Sequence, residues 1–173
     1  MNADLARDFT QHASTKLREQ LGQITRCAEL LSPAEIWHRA NAHTNSVGNL
    51  ILHLTGNMRQ WLIAGLHGAA FARDRPAEFA ERGPLPTATI LAGLTQAVTD
   101  GLAVLARADG PALAARYVIQ GYDVSGLVAV THVVEHFSAH TAQIVHMTKV
   151  FKDVDLSLYD AQGHKLAGQP PAP

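Results

Sequence analysis

The segment from His132 to His140 constrains the fold most, because it places three histidines at intervals of four residues. Residues four apart lie one turn from each other on the same side of a helix. Within this segment His140 lies inside an apolar stripe, His136 at its border and His132 outside it. The stripe has helical spacing and consists of Val130, Val133, Val134, Phe137, Ile144, Met147 and Phe151. A helix that buries this stripe carries two imidazoles into or beside the core, where polar groups need partners.

A metal ion is a suitable partner for these imidazoles, because neutral histidine is among the commonest metal ligands. Two histidines do not hold a metal alone, so we expect a third ligand from elsewhere in the chain. His53 is the best candidate, since it borders a second helical stripe. That stripe consists of Val47, Leu50, Leu54, Met58, Trp61 and Leu62. Packing the two stripes against each other would bring His53, His136 and His140 together.

Four long segments with helical periodicity predict an all-α four-helix bundle with one or two long connections. They cover about residues 3–31, 46–68, 87–109 and 125–151. Ser32-Pro33-Ala34-Glu35 predicts the start of a further short helix, and residues 116–122 form a candidate short strand. We predict a single domain over residues 1–160 and a partly ordered C-terminal tail over residues 161–173.

The connections contain several signals for where helices begin. Thr87 is the predicted N-cap of the third long helix, and Asp123 or Ser125 is that of the fourth. The charged stretch with Arg73, Asp74, Arg75 and Glu78 is interpreted as a solvated, salt-bridged loop whose ion pairs contribute little.

Composition excludes several classes of partner and location. The net charge of -1 and the absence of a Lys/Arg cluster argue against a nucleic-acid partner. No apolar run approaches the ~18 residues of a membrane span. Cys27 is the only cysteine, which fits a reducing compartment, and the first residues lack the apolar core of a signal peptide. We therefore expect a cytoplasmic protein without a membrane or nucleic-acid partner.

Other metal and hydrolase motifs do not fit the histidine spacing. A zinc metalloprotease needs Glu directly after the first histidine, but Phe137 or Val133 occupies that position. A di-iron bundle needs Glu-x-x-His pairs, and Glu135 is followed three residues later by Ser138. What fits is a mononuclear site of three neutral imidazoles with open positions, as in catalytic metal sites.

Three blocks of the sequence form a recognisable pattern. They read Asn-Ser-x-Gly-Asn-Leu-x-x-His-Leu-x-Gly-Asn over residues 45–57, Arg-Asp-Arg-x-x-Glu-Phe over 73–79 and Glu-His-x-x-x-His-x-x-Gln over 135–143. In this order they resemble the DinB-like (YfiT-like) family of metal-dependent enzymes, and the similarity extends over nearly the whole chain. The resemblance implies a four-helix bundle of the DinB-like type, often dimeric. It also implies a divalent metal on three histidines, which by motif position are His53, His136 and His140.

The same resemblance suggests a reaction class. Relatives include thiol-dependent S-transferases and a maleylpyruvate isomerase, which implies a metal-dependent transferase or hydrolase acting on a small molecule, with a low-molecular-weight thiol as a candidate partner. The alternative is a non-catalytic, stress-associated bundle protein with a structural or vestigial metal site. Zinc, nickel and iron all accept imidazole ligands. One departure is Ala142-Gln143, where the family usually has Gly-Gln.

Two other polar residues lie near the predicted ligands. Asn57 and Gln143 lie within a turn of the predicted ligands, and they either orient imidazoles, bind substrate or satisfy nearby backbone. Five further histidines are interpreted as hydrogen-bonded core residues rather than ligands. They are His12, His43, His67, His132 and His146.

Overall fold

Four long helices bury their apolar stripes against one another, in a computed structural model that describes residues 2–158 and 160–162. Short helices and one hairpin fill the connections. The elements are α1 (Ala3–Leu30), α2 (Pro33–Ile36), α3 (Val47–Met58), a π-helix (Arg59–Ala64), α4 (Gly65–His67), α5 (Arg75–Ala80), α6 (Thr87–Leu105), α7 (Gly110–Ala114), β1 (Arg116–Ile119), β2 (Tyr122–Ser125) and α8 (Gly126–Lys152). The predicted all-α bundle is confirmed.

Side-chain contacts define the direction of each long helix. Helices α1 and α8 run parallel, since Gln20 bonds to Ser138 and Glu35, just beyond α1, bonds to Lys152. Helix α3 runs antiparallel to α8, because His53 meets His136 while Asn57 meets His132. Helix α6 is parallel to α3. The starts of both helices lie near Trp37, which packs against Gly48 of α3 and bonds to the Leu85 carbonyl just before α6. Further along the two helices, Gly101 of α6 lies against Met58 of α3. One long crossover, residues 68–86, therefore joins two parallel helices.

The ends of the helices differ from the prediction in two places. Thr87 is the first residue of α6, which follows Pro86 without a side-chain cap. Gly110 and Pro111 are the first residues of α7, which Asp109 caps, rather than a simple break. Ser125 does cap α8. The predicted extended segment is the two-stranded antiparallel hairpin β1–β2, whose turn has positive φ at Gln120 and Gly121.

The structure describes only part of the C-terminal tail. Leu156 is buried in the core cluster. Tyr159 and residues 163–173, which include most of the predicted partly ordered tail, lie outside the described residues.

Within the described part of the chain, α6 is long and apolar enough to span a membrane by length and composition. It has 19 residues. Thr, Gln and Asp residues interrupt its apolar run, so counting consecutive apolar residues does not detect it. Ile90, Leu94 and Val98 nevertheless lie in the bundle core. A core helix of a bundle meets the same criteria, so α6 is weak evidence for a membrane.

Glu35 connects the start of α2 to the end of α8 and predicts a dependence of stability on pH. It accepts hydrogen bonds from Lys152 Nζ and from the Ser32 backbone, both at 2.7 Å. The bond from Lys152, followed by those from Ser32, lowers the pKa of Glu35 from 4.5 to about 2. A lowered pKa in the folded state stabilises the protein above the unfolded pKa, and this stabilisation is lost as pH falls from about 4.5 to about 2.

We therefore expect Glu35→Gln to be less stable than the wild type near pH 6, with a difference that shrinks as pH falls towards 2. Urea unfolding of both proteins across this pH range measures the effect. The exposed Glu29→Gln variant is the control for loss of one surface charge. A Glu35→Gln deficit that is constant with pH would contradict this assignment.

Candidate metal centre

Three histidines from two helices converge between α3 and α8. His53 is contributed by α3, and His136 and His140 lie on adjacent turns of α8. The Nε2 atoms of His53 and His136 are 2.7 Å apart, and one nitrogen from each of the three rings lies within 4.8 Å of the others. His53 is buried and the other two are half-buried. The predicted set of three imidazoles is brought together as expected.

A buried ion pair in the crossover connection contacts the Nδ1 side of the His53 ring. Its Nδ1 lies 2.8 Å from Glu78 Oε2. Arg73 bonds both carboxylate oxygens of Glu78, at 2.7 and 2.8 Å, and also Gln60 Oε1 and the His53 carbonyl. Burial acts to raise the pKa of Glu78, but the bonds with His53 and Arg73 outweigh it and lower that pKa. Glu78 Oε2 accepts, which favours the His53 tautomer with its proton on Nδ1 and its Nε2 lone pair facing the other histidines. Arg73 Nη2 lies further from the same Nδ1, at 3.1 Å.

The interpretation of this charged stretch as a solvated loop was therefore wrong for Arg73 and Glu78. Their side chains are only 4% and 11% exposed, whereas Asp74 and Arg75 are exposed as expected. Gly56 is the sequence feature that could have indicated the burial of this ion pair. A Cβ atom there would lie 2.0 Å from Glu78 Oε1, so the absence of a side chain on α3 makes room for the ion pair.

His140 is oriented in the same manner by a neighbour on its own helix. Gln143 Oε1 lies 2.7 Å from His140 Nδ1, one turn further along α8. Because Oε1 is an acceptor, the neutral ring carries its proton on Nδ1 and presents Nε2 to the cluster. Of the alternative roles stated for Gln143, the orientation of an imidazole fits this geometry.

The surroundings of His136 and His140 favour neutral rings. Burial, followed by the proximity of His140 and His53, lowers the pKa of His136 to about 3. Burial also lowers the pKa of His140. Neutral imidazoles are the form that ligates a metal, so at neutral pH these lone pairs are available.

His132 is not part of the three-nitrogen group, although its ring stacks against that of His136 with centroids 5.4 Å apart. Its ring stacks on Trp61 with centroids 3.9 Å apart, and its Nε2 lies 3.1 Å from Asn57 Nδ2. Asn57 therefore contacts a histidine outside the predicted set and does not orient His53. Trp61 belongs to the π-helix Arg59–Ala64, an element often found at functional sites.

Four of the five histidines interpreted as core residues do not belong to the core. His12, His43, His67 and His146 are exposed, so their interpretation as core residues was wrong. His132 is half-buried and hydrogen-bonded, which comes closest to that interpretation.

The donor set fits a single divalent ion. Imidazole nitrogens bind zinc at ~2.0–2.1 Å, which places tetrahedral ligands ~3.3 Å apart. The Nε2 atoms of His53 and His136 are 2.7 Å apart, and the three donor nitrogens all lie within 4.8 Å of one another. Within the described residues, the group of potential ligands contains these three histidines and no carboxylate or thiolate. Three nitrogen ligands leave a coordination position open.

Replacing Gly56 with alanine is expected to displace Glu78, which contacts Nδ1 of His53. In Gly56→Ala the new Cβ would lie 2.0 Å from Glu78 Oε1 and 2.8 Å from Arg73 Nε, so the ion pair must move. We expect lower stability and weaker metal binding. Gly93→Ala on α6 is the matched control, since its Cβ meets nothing within 4 Å and the change should add ~0.5–1 kcal/mol of helix stability. Urea unfolding compares the two, and equal stability of both variants would show that Glu78 tolerates the methyl group.

Comparison with known protein families connects this arrangement to a described group. A family model described as "Protein of unknown function (DUF1572)" matches residues 4–160. Comparison with curated proteins found no match. The matched range includes the three histidines together with Arg73, Glu78 and Gln143. The chain therefore belongs to the DUF1572 family.

Proposed function

We propose that this chain is a DinB-like metal-dependent enzyme with a mononuclear divalent ion on His53, His136 and His140. The sequence blocks that contain these histidines support the DinB-like assignment, as does the place of the DUF1572 family in the DinB-like superfamily. We propose zinc or nickel as the ion, with iron as a third option, because all three accept imidazole nitrogens.

The observation that carries this proposal is the way in which two of the rings are held. Glu78 and Gln143 engage the Nδ1 atoms of His53 and His140. Both Nε2 atoms are thereby free for a shared partner, and the His136 Nε2 lies 2.7 Å from one of them. Hydrogen bonds of this kind fix the tautomer and orientation of metal-binding histidines.

The geometry also favours a catalytic site over a structural one. Structural zinc sites are closed by four protein ligands, whereas three candidate ligands converge among the described residues. A bound divalent ion would act as a Lewis acid and lower the pKa of a water or thiol. The protein residues supply the rest: Glu78 and Arg73 fix His53, Gln143 fixes His140, and the neutral histidines leave the positive charge of the ion uncompensated.

For the reaction we propose a thiol-dependent S-transferase or a hydrolase that acts on a small molecule, with a low-molecular-weight thiol as a candidate partner. The resemblance to thiol-dependent relatives supports this choice, and the thiolate is the nucleophilic form that such chemistry requires. A cytoplasmic location, where thiols stay reduced, is part of the same proposal, as is the absence of nucleic-acid and membrane partners.

Elemental analysis of protein purified without a chelator or a nickel column tests the metal centre. We expect one divalent ion per chain. The metal-free and reloaded proteins are then assayed for consumption of a small thiol with an electrophilic acceptor, and for hydrolysis of esters. Activity that returns only with metal supports the enzyme. A loaded protein that is inactive in all of these assays, and that loses only stability when the metal is removed, favours the non-catalytic bundle.

We propose that two chains associate as a homodimer through helix faces. Small residues are frequent on the exposed side of α6, including Ala88, Ala92 and Ala103, and the net charge is close to zero. Small side chains allow helices of two chains to approach closely. Multi-angle light scattering should give twice the chain mass of 18.6 kDa at micromolar concentration; a monomer would contradict this proposal.

A further inference from the structure

One of the three clustered histidines is held differently from the other two. His53 and His140 each have a hydrogen-bond acceptor at Nδ1. His136 has no contact of this kind. Within the described part of the chain, its hydrogen-bond contact is the one between its Nε2 and that of His53. A metal-binding histidine usually has a partner on its second nitrogen that fixes the ring, so the orientation of His136 needs another source.

The ring of His132 lies nearly parallel to the ring of His136. The two residues are one turn apart on α8, with ring centroids 5.4 Å apart and planes inclined by 22°. The other ring contacts of His136, with His53 and His140, are steeply inclined, at 60° and 87°. Parallel, offset rings at this separation attract each other. A rotation of the His136 ring out of its plane would therefore lose this contact.

His132 is itself held on its face and at its edge by the opposite helix. Its ring stacks on Trp61, with centroids 3.9 Å apart, and its Nε2 lies 3.1 Å from Asn57 Nδ2. Both partners are buried, at 4% and 2% exposure. Trp61 belongs to the π-helix that continues α3 beyond Asn57. Side chains in a close-packed core have little freedom to move, so these two contacts fix the plane of His132.

The same contacts argue against His132 as a further metal ligand. Its Nε2 is engaged by Asn57. Among the described residues, the group whose nitrogens lie within 4.8 Å of one another does not include His132. His132 therefore acts on the metal centre through the ring of His136 rather than by binding the ion.

We propose that His132 is a positioning residue for His136, and that Trp61 and Asn57 position His132 in turn. Stacking thus has the role for His136 that a hydrogen bond at Nδ1 has for the other two histidines. A ring that is fixed before the ion arrives loses less conformational freedom on binding, which raises the affinity. This inference rests on the proposed metal centre, because the effect on affinity requires that His136 binds the ion.

Zinc titration in competition with a chelator, applied to His132→Ala and His132→Phe, tests this role. Both substitutions remove the partner of Asn57, so both variants should be less stable to urea than the wild type. Phenylalanine keeps a flat ring beside His136, whereas alanine does not. We expect His132→Phe to bind zinc about as tightly as the wild type. His132→Ala should bind it about tenfold more weakly, a much smaller loss than that expected when His140 is removed.

His146→Ala is the matched control, because it removes an exposed histidine from the same helix and should change neither stability nor affinity. A purely structural role for His132 would make affinity follow stability, so that both variants would bind zinc equally. Equal weakness of His132→Phe and His132→Ala would overturn the proposal, since a ring without nitrogen would then fail to replace His132.

NMR of the metal-free protein measures the orientation of His136 without any ion. We expect one sharp set of Cδ2–Hδ2 and Cε1–Hε1 signals from His136 in the wild type and in His132→Phe, and broadened or doubled signals in His132→Ala. If the wild type binds no zinc, the metal centre is rejected, while this comparison still supports or overturns the positioning of His136. Unchanged His136 signals in His132→Ala, together with wild-type zinc affinity where zinc binds, would overturn it.

Discussion

Replacing His140 with alanine is expected to remove most of the affinity for a divalent metal, whereas His132→Ala is expected to retain it. Both residues lie four positions from His136, so spacing alone does not distinguish them. The structure places His140 in the nitrogen cluster and His132 against Trp61. Loss of one of three ligands eliminates a metal–nitrogen bond, while a residue outside the ligand set affects affinity at most indirectly, by ~10–100-fold when it orients a ligand.

Titration of metal into each metal-free variant, followed by calorimetry, measures this difference. The prediction requires that both variants fold, which circular dichroism verifies. His12→Ala, at an exposed position on α1, serves as the control for removal of an unrelated histidine. If His132→Ala abolishes binding and His140→Ala retains it, the wrong pair of histidines on α8 has been assigned.

Glu78→Gln is expected to reduce both the stability of the fold and the affinity for metal. Arg73, whose side chain is 4% exposed, would lose its counter-charge while remaining buried. Removal of one partner of a buried ion pair typically costs ~3–5 kcal/mol. The glutamine can also present its amide N–H to His53 Nδ1, which would favour the wrong tautomer, so we expect metal affinity to fall ~10–100-fold.

Urea unfolding of the metal-free protein isolates the stability effect, and metal titration isolates the effect on His53. Arg73→Met combined with Glu78→Gln removes both charges, so it should recover part of the lost stability without restoring metal affinity. Glu29→Gln, at an exposed position on α1, controls for the change in net charge. Wild-type metal affinity in Glu78→Gln would mean that the carboxylate does not position His53.

The bundle and the three clustered histidines were predictable because both depend on local periodicity. The stripes around Leu54 and Phe137 identify two buried faces, and His53 and His136 lie at their borders. Helical geometry then leaves few ways to pack those faces without bringing the imidazoles together. The preference for His140 over His132 follows from the same geometry, since only His140 lies inside its stripe.

The residues behind His53 were not predictable from the same reasoning. Arg73 and Glu78 are charged residues in a connection, and such residues are usually solvated. Their burial depends on where the crossover returns along α3, which is a long-range property of the fold. Only the lack of a side chain at Gly56, together with the spacing of Arg73 and Glu78 in their motif block, pointed to a close approach. The partner of Asn57 was missed for a similar reason, because its contact with His132 is made across the packing of α3 against α8.

The π-helix between Met58 and Gly65 makes the helix that contains His53 longer by about one residue without adding a turn. Each residue of an α-helix rotates the chain by ~100°. In a regular α-helix, a single extra residue would therefore rotate the segment after Ala64 by ~100° relative to His53, and the two could not both face the core. The wide turn absorbs this rotation locally. In evolutionary terms it has the form of an accommodated insertion, and homologous helices without it should align with this chain only when a one-residue gap is placed between Met58 and Gly65.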